Sequence, residues 1–256
     1  MNPMSMEGLN ILITGSGRGV GKEVAKQVVD LGGRVILNDI DADVAHQAAE
    51  EIGQPDAPVF AGSVADPGFV EEMVNGSVAK LGAIHGLVNN AGIVRAAMAH
   101  KMSQKVWQEV IDVNLTGVYQ CLQAVGRHMI ERRKDGDKDP GRIVNISSIA
   151  GRRGTIGQIN YGAAKAGVLG LTMSAAKEWG RHDICVNSVC FGVVETRLTE
   201  TIRSDKFREQ YEAQVVLNRF ALPEEVAVPV VFLLGHGSSY ITGQHISVDG
   251  GAHIGF

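Results

Sequence analysis

The sequence predicts an α/β protein in which a doubly wound parallel sheet of about seven strands carries helices on both faces. Short apolar runs alternate along the chain with longer segments whose apolar residues recur at helical spacing. The runs at residues 11–13 and 35–37 are continuous rather than alternating, as expected for strands buried on both faces. Because no charge run, low-complexity tract or proline-rich linker divides residues 1–256, we expect a single domain.

The predicted strands and helices alternate from the amino terminus onward. Strands are predicted at residues 9–14, 34–38, 57–60, 85–89, 142–147, 184–190 and 245–248. Helices are predicted at residues 20–31, 42–52, 69–81, 106–132, 161–180, 207–216 and 224–234. This alternation is typical of a parallel sheet with crossover helices.

Composition and charge argue against several classes of protein. The 24 basic and 28 acidic residues give a net charge of −4, so the chain has no general attraction for nucleic acid or anionic lipid. The amino terminus lacks the basic and apolar regions of a secretory signal, and the longest stretch without Asp, Glu, Lys or Arg, residues 226–248, is interrupted by Pro229 and several glycines. Three cysteines without a C-x-x-C pair and eight histidines without an H-x-x-x-H pair predict neither disulfides nor a metal site. We expect a cytoplasmic protein that binds neither membrane nor nucleic acid.

A glycine cluster lies between the first predicted strand and the first predicted helix. The strict G-x-G-x-x-G pattern does not fit, because Lys22 stands where the last glycine counted from Gly17 would be. The looser T-G-x-x-x-G-x-G pattern does fit, from Thr14 onward. Bare amides at the start of a helix bind anions, so the loop predicts a phosphate site, although a plain tight turn would look the same. The expected cofactor contacts in this loop are Gly15, Gly17, Arg18, Gly19, Val20 and Gly21.

Asp39 follows the second predicted strand, 18 residues after Gly21. A carboxylate at this point can accept hydrogen bonds from both hydroxyls of an adenosine ribose, as in dinucleotide-binding βαβ units. It would repel the 2′-phosphate of NADP, so NAD is favoured. Arg18 supports the opposite choice, because a guanidinium in the loop could bind that phosphate, and NADP stays an alternative. Asp39 could instead cap the next helix, a position that Asp41 fits equally well.

Tyr161, Lys165 and Ser148 carry the most specific chemical signal. Tyr161 and Lys165 are four residues apart at the start of a predicted helix, so they lie on one face. Tyrosine has an ordinary pKa of about 10 and becomes a usable base at neutral pH only where a cation such as Lys165 stabilises its phenolate. Ser148 follows a predicted strand, 13 residues before Tyr161. Each residue alone has an ordinary structural explanation, but their joint occurrence after a glycine loop indicates an acid–base group.

With these residues the chain resembles the short-chain dehydrogenase/reductase family over nearly its whole length. The shared motifs are Thr14-Gly15 with Gly19 and Gly21, Asn89-Asn90-Ala91-Gly92, Asn114, Ser148, Tyr161-x-x-x-Lys165 and Val248-Asp249-Gly250-Gly251. The resemblance implies a Rossmann-type fold, and 3-oxoacyl-(acyl-carrier-protein) reductases are the most similar branch. Family members are commonly homotetramers, so we expect a homo-oligomer, a tetramer or a dimer. The glycine- and alanine-rich segment 162–176 could pack against another subunit or against its own sheet.

The resemblance also implies roles for further residues. Asn114 would hold a water for proton relay, with a helix-kink hydrogen bond as the alternative. The implied contacts on the adenosine side are Asn90, Ala91 and Gly92, which could otherwise form a strand-ending turn, and those at the nicotinamide carboxamide are Val194 and Thr196.

Two positions depart from the family pattern. Ser63, followed by Val64, stands where the family often has an aspartate that contacts the adenine. Ser63 can still form a hydrogen bond, so we retain both residues as cofactor contacts. Phe191 replaces a proline and either carries its ring toward the nicotinamide or packs in the interior.

The implied reaction is hydride transfer between a nicotinamide cofactor and a carbinol or carbonyl carbon. Tyr161 would be the general acid or base, Ser148 would hold the substrate oxygen, and Lys165 would lower the pKa of Tyr161 and bind the ribose. With NAD favoured, alcohol oxidation is the expected direction. A nucleotide-binding protein without turnover, either a regulator or an inert subunit, is the alternative from another class.

The sequence leaves the substrate open. A 3-hydroxyacyl or 3-oxoacyl thioester is one candidate, and secondary alcohols, sugars and hydroxysteroids are the others. Residues 193–222 are expected to cover the site as a lid. Arg152 and Arg153 could hold an anionic group of a small-molecule substrate, or could simply be an exposed pair.

Overall fold

The computed structural model of the protein describes residues 2–138 and 141–254. Within these residues seven strands form one parallel sheet in the order β3-β2-β1-β4-β5-β6-β7, which confirms the predicted doubly wound sheet. The strands are β1 (Asn10–Thr14), β2 (Arg34–Asp39), β3 (Val59–Ala61), β4 (Gly86–Asn89), β5 (Gly141–Ser148), β6 (Ile184–Phe191) and β7 (His245–Val248). The strand order reverses between β1 and β4, and ligands bind such sheets in the crevice at the carboxyl ends of those strands.

Helices cover both faces of the sheet, as the alternate residues of β1 show. The helices are α1 (Gly19–Asp30), α2 (Ala42–Glu51), α3 (Pro67–Leu81), α4 (Gln104–Ile111), α5 (Gly117–Lys134), α6 (Ala150–Arg153), α7 (Ile159–Trp179), α8 (Glu200–Arg203), α9 (Asp205–Glu212) and α10 (Pro223–Leu234). Ile11 and Ile13 are buried with α1, α2 and α10, whereas Leu12 is buried with α3, α5 and α7. This burial on two sides is the physical reason for the continuous apolar runs in the sequence. None of the described helices is long and apolar enough to cross a membrane.

The helix predicted at residues 106–132 is interrupted in the structure. A π-helical turn, Asp112–Thr116, joins α4 to α5. Asn114 lies on this turn, and its buried side chain bonds to the main chain of Ile93. Single π turns of this kind are frequent at functional sites. The periodicity of the helix does not predict the turn, because the partner of Asn114 lies 21 residues away in the chain.

Helix α5 holds the chain just before β4 through the main chain of Ile84. The Ile84 amide donates to His128 Nε2 at 3.1 Å, and the Ile84 carbonyl accepts from Arg132 Nη1 at 2.7 Å. An imidazole nitrogen accepts a hydrogen bond only when it is unprotonated. Burial, together with the positive charge of Arg132, lowers the pKa of His128 and keeps the ring neutral. β4 is therefore fixed at the end opposite the ligand crevice.

We predict that the free energy of unfolding decreases as the pH falls through about 6.5, the ordinary histidine pKa. The unfolded His128 binds a proton more readily than the folded one, so stability is present above that pH and is lost below it. His128→Gln should flatten the decrease, because an amide oxygen accepts the same bond without titrating. Urea denaturation at a series of pH values measures the effect, with the exposed His46→Gln as the control. An unchanged pH dependence in His128→Gln would contradict this assignment.

Candidate active site

The glycine loop is folded tightly against the end of β4. Gly15 has a φ of +62°, and a Cβ added to it would lie 2.9 Å from Ala91 Cα. A Cβ added to Gly21 would overlap the carbonyl oxygen of Gly15. The loop leads directly into α1, and the side chain of the N-cap residue Arg18 does not cap this helix. The first amides of α1 therefore lie at the crevice, as a phosphate site requires.

Asn90 and Thr14 join the ends of β1 and β4. The Asn90 side-chain amide donates to the carbonyl oxygens of Thr14 and Gly15 at 3.0 and 2.9 Å. The hydroxyl of Thr14 accepts from the main-chain amides of Asn90 and Ala91 at 3.0 and 3.1 Å. The segment Asn90, Ala91 and Gly92 lies beside the glycine loop, and the side chain of Asn90 holds that loop in shape. Its contact with the adenosine side of a cofactor stays a prediction.

Asp39 is buried at the end of β2, next to the glycine loop. Its carboxylate accepts from the Gly17 amide at 3.1 Å and from the Asp41 amide at 3.3 Å. Asp41, rather than Asp39, caps α2 by accepting from the Val44 amide. Arg18 lies with its Nη2 atom 3.8 Å from Asp41 Oδ2, and both side chains are about half exposed. The two residues that bear on NAD or NADP thus lie close together, beside the carboxyl end of β2.

Two further predicted contacts lie at the end of β3. Ser63 Oγ accepts from the Ala65 amide at 3.2 Å, so the hydroxyl stabilises the turn that follows the strand. Val64 is buried and packs against Gly117 at the start of α5. Of these two side chains, that of Ser63 carries a polar group, its hydroxyl, and that of Val64 is apolar.

The predicted lid segment begins against the glycine loop. The methyl group of Thr196 lies beside Gly19, and Val194 is buried and bridges to Ala221. The hydroxyl of Thr199 bonds to the carbonyls of Val194 and Thr196, which locks the turn that carries both predicted contacts. The helix predicted at residues 207–216 is α9, which ends at Glu212.

Ser148, Tyr161 and Lys165 come together at the carboxyl end of β5. Ser148 is the last residue of β5, and Tyr161 and Lys165 occupy successive turns of α7. Lys165 Nζ lies 5.7 Å from the centroid of the Tyr161 ring and donates to the Ile146 carbonyl at 2.8 Å. The side chain of Ser148 interacts with the phenol of Tyr161 and acts to lower its pKa. The three residues that the sequence predicts as an acid–base group therefore lie close together in the structure.

The pKa of Tyr161 moves in the direction opposite to the one expected. Burial raises the pKa of Tyr161 to about 12, although the side chain of Ser148 acts against this shift. Burial also lowers the pKa of Lys165 to about 8. Removal from water is the largest cause of both shifts, and Lys165 directs its ammonium to the Ile146 carbonyl. Tyr161 is consequently a protonated phenol at neutral pH.

Both polar atoms of the Asn114 side chain are hydrogen-bonded to the main chain of Ile93. Its Oδ1 accepts from the Ile93 amide at 2.8 Å and its Nδ2 donates to the Ile93 carbonyl at 2.9 Å. The side chain thus ties the π turn to the segment that follows β4, as the hydrogen-bonding alternative expected. The role of Asn114 in holding a water stays a prediction.

Arg152 and Arg153 bind the protein rather than facing a substrate. Arg152 donates to Ser247 Oγ at 2.8 Å and to the His245 carbonyl at 2.7 Å, so it holds β7. Arg153 donates to the Ala252 carbonyl and to the Gln214 side chain. These contacts do not support the hypothesis that the pair holds a substrate anion, because the guanidiniums are already engaged.

Phe191 resolves the second departure from the family pattern. Its ring is buried in the core shared by α1 and α10, together with Val194 and Val248. Packing, rather than projection toward the nicotinamide, accounts for this residue.

Asn160 was missed by the sequence analysis. It directly precedes Tyr161 and is completely buried, with its side chain bonded to three main-chain groups. An asparagine beside the predicted acid–base residue was the available signal, but its partners at residues 95 and 106 are distant in the chain.

A dinucleotide crevice beside a half-buried tyrosine and a buried lysine is the arrangement of a nicotinamide-dependent oxidoreductase. The bare amides of α1, the carboxylate of Asp39 and the position of Thr196 beside Gly19 fit the phosphates, the ribose and the nicotinamide end of such a cofactor. In the described part of the chain, no group of three or more His, Cys, Asp or Glu side chains is placed to hold a metal ion.

Comparison with known proteins agrees with this class. A family model described as "Enoyl-(Acyl carrier protein) reductase" matches residues 15–253. The chain is 41% identical over 255 residues to a 3-oxoacyl-(acyl-carrier-protein) reductase of Thermotoga maritima, covering 98% of this chain and 100% of the relative. It is 40% identical over 252 residues to the Aquifex aeolicus protein of the same name, covering 97% and 98%.

Solved structures show the same relationship. A gluconate 5-dehydrogenase from Burkholderia cenocepacia in complex with NADP and tartrate has a TM-score of 0.93 and 31% identity, covering 100% of this chain and 99% of its own. A short-chain type dehydrogenase/reductase from Mycobacterium marinum has a TM-score of 0.91 and 30% identity, covering 98% of both chains. The chain belongs to the short-chain dehydrogenase/reductase family. It is an NAD(P)-dependent oxidoreductase that interconverts an alcohol and a ketone in a small-molecule substrate, and the alternative without turnover is not supported.

We predict that Gly21→Ala weakens NADH binding by about tenfold or more, because relieving an overlap of this kind costs about 1–3 kcal/mol. The new methyl group would push the Gly15 carbonyl out of the loop. Titration of protein fluorescence with NADH measures the effect. Gly180→Ala is the matched control, because a Cβ at this exposed position meets no atom within 4 Å, and equal binding by both variants would contradict the prediction.

Proposed function

We propose that the protein reduces the ketone of a 3-oxoacyl thioester to the 3-hydroxyacyl product, with NADH preferred over NADPH. The observation that carries the proposal is the placing of Tyr161 and Ser148 at the carboxyl end of β5, with Lys165 Nζ 5.7 Å from the centroid of the Tyr161 ring. A phenol with a pKa of about 12 is a proton donor at neutral pH, so it suits reduction at that pH better than oxidation. The preference for NAD alone favours oxidation, which Tyr161 would support at higher pH.

Each member of the group has a proposed role at the substrate oxygen. Tyr161 donates its proton to that oxygen, and Ser148 holds the oxygen with a second hydrogen bond. Lys165 is charged below pH about 8 and stabilises the phenolate that forms. Asn114 connects the site to solvent through the π turn. The glycine loop, Asp39 and Thr196 would hold the nicotinamide cofactor, which would supply the hydride when bound.

The surface beside this group is apolar, which supports an acyl substrate. Ile156 and Ile159 are 88% and 51% exposed at the start of α7, and Met98 is 50% exposed on the segment that pairs with residues 157 and 158. Leu198, also 50% exposed, follows Thr196 on the lid segment. An aliphatic chain gains free energy by covering such side chains, whereas a sugar gains little. The names of the Thermotoga and Aquifex relatives point to the same substrate class.

Self-association is also part of the proposal. Ala164 and Val168 of α7 are buried against the protein's own core, while Met173 is 46% exposed and Gly170 has open space beside it. This second face is free to contact another copy. Sedimentation velocity distinguishes a monomer from the expected dimer or tetramer.

We predict that Tyr161→Phe lowers kcat for reduction of an acetoacetyl thioester by about 10²- to 10⁴-fold, the usual contribution of a general acid. NADH binding should change little, because the ring is retained. Oxidation of NADH at 340 nm measures turnover over a panel of acyl thioesters, keto sugars, ketosteroids and simple ketones. Tyr119→Phe, a partly exposed tyrosine on α5, is the matched control. Unchanged turnover in Tyr161→Phe would contradict the proposed role of Tyr161. Faster turnover of a keto sugar than of an acyl thioester would contradict the proposed substrate class.

The two reaction rates should depend on pH in opposite directions. The reduction rate should be constant below pH about 8 and fall above it, because Lys165 then loses the charge that stabilises the forming phenolate. The oxidation rate should rise with pH, since only the phenolate can accept a proton. Rate profiles in both directions give the apparent pKa values, and a reduction rate that rises above pH 8 would contradict these roles.

We predict that Asp39→Asn shifts the preference from NADH toward NADPH by about tenfold, which corresponds to about 1.4 kcal/mol. The amide keeps an oxygen for the Gly17 hydrogen bond but loses the charge that repels a 2′-phosphate. The ratio of kcat/KM for the two cofactors measures the shift. Asp43→Asn, an exposed carboxylate in the first turn of α2, is the matched control. A wild-type preference for NADPH would mean that Arg18 outweighs Asp39.

A further inference from the structure

We propose that Asn160 is a positioning residue that sets the place of Tyr161 relative to the substrate-facing segment after β4. This inference rests on the proposed role of Tyr161. It concerns a side chain whose hydrogen bonds all go to main-chain groups, that of Tyr161 among them.

Asn160 supplies the cap that α7 lacks at its usual position. The N-cap residue Gln158 makes no side-chain hydrogen bond to the helix, so the first amides of α7 need other partners. Asn160 Oδ1 accepts from the amide of Tyr161 at 2.8 Å. The main chain that carries the catalytic ring is thus held by its own neighbour.

The other end of the same side chain reaches two separate elements. Asn160 Nδ2 donates to the Arg95 carbonyl at 3.1 Å and to the Val106 carbonyl at 3.2 Å. Arg95 belongs to the segment after β4, and Val106 belongs to the first turn of α4. One planar amide therefore fixes the distance between the start of α7, this segment and α4.

The neighbouring contacts make the segment after β4 dependent on this link. Its Ile93 end is held by Asn114, and its Ala97 end donates to the Gly157 carbonyl at 2.9 Å. Arg95 lies between these two points, and its carbonyl is bound by Asn160. The segment leads to Met98, which borders the proposed acyl surface, so a shift at Arg95 would change where the substrate lies relative to Tyr161.

Because Asn160 is completely buried, its loss leaves its partners without hydrogen bonds and lets the segment move. A displacement of about 1 Å at a reacting pair lowers a rate by up to about 100-fold. We expect Asn160→Ala to reduce kcat by about 10- to 100-fold while the KM for NADH stays within about twofold. The expected split between kcat and KM separates positioning from a general loss of structure.

Asn187→Ala is the matched control. Asn187 is also buried and bridges main-chain groups, donating to the Ile241 carbonyl at 2.7 Å and accepting from the Gln244 amide at 3.0 Å. It lies in the middle of β6, outside the proposed machinery. The control should lower the Tm about as much as Asn160→Ala and leave kcat unchanged.

Asn160→Asp provides a second readout that does not depend on the stability of the alanine variant. Its carboxylate can still accept from the Tyr161 amide, but when ionised it faces the carbonyls of Arg95 and Val106 without a proton to donate. Its kcat should therefore recover as the pH is lowered, whereas the wild-type reduction rate stays constant in that range.

The experiment is a comparison of kcat, KM and Tm for wild type, the two Asn160 variants, Asn187→Ala and Tyr161→Phe. An Asn160→Ala enzyme with wild-type kcat, or an equal loss of kcat in Asn187→Ala, would overturn the inference, as would an Asn160→Asp variant whose kcat does not recover at lower pH. If Tyr161→Phe turns over normally, the proposed function fails instead, and the two failures are distinct.

Discussion

The joint between the carboxyl ends of β1 and β4 is the constraint on which the rest of the site depends. Parallel strands end with main-chain groups that have no partner in the sheet, and at this joint Thr14 and Asn90 bind those groups to one another. Gly15 and Gly21 allow the approach, because a side chain at either position would meet main-chain atoms. The result is a loop whose amides face the crevice in a fixed arrangement.

Three asparagines likewise bind main-chain groups in or beside the segment that follows β4. Asn90 binds the loop before it, Asn114 binds Ile93, and Asn160 binds Arg95. Asparagine suits this work because one planar side chain both donates and accepts. A buried polar network in which each member has its partners is rigid and defines a single geometry.

Burial of the acid–base group determines its chemistry. Removal from water favours the uncharged form of each group, so the two pKa values move apart: that of Tyr161 rises to about 12 and that of Lys165 falls to about 8. The Ile146 carbonyl and the hydroxyl of Ser148 provide the polar contacts that make this burial tolerable. Lys165 loses its charge near pH 8, and this charge stabilises the phenolate that forms during reduction. The favoured direction of the reaction therefore depends on pH.

The sequence by itself determined the alternation of strands and helices, the glycine loop and the acid–base group, because these depend on local spacing. An unbroken run such as residues 11–13 must be buried on both sides, and residues four apart on a helix share a face. The tertiary structure alone decided that Asp41 rather than Asp39 caps α2, that Arg152 holds β7, and that Asn114 interrupts a helix. It also decided that the pKa of Tyr161 rises, and that Asn160 spans three elements. Most of these outcomes depend on partners distant in the chain, and the pKa of Tyr161 depends on how far each group is removed from water, so local spacing does not encode them.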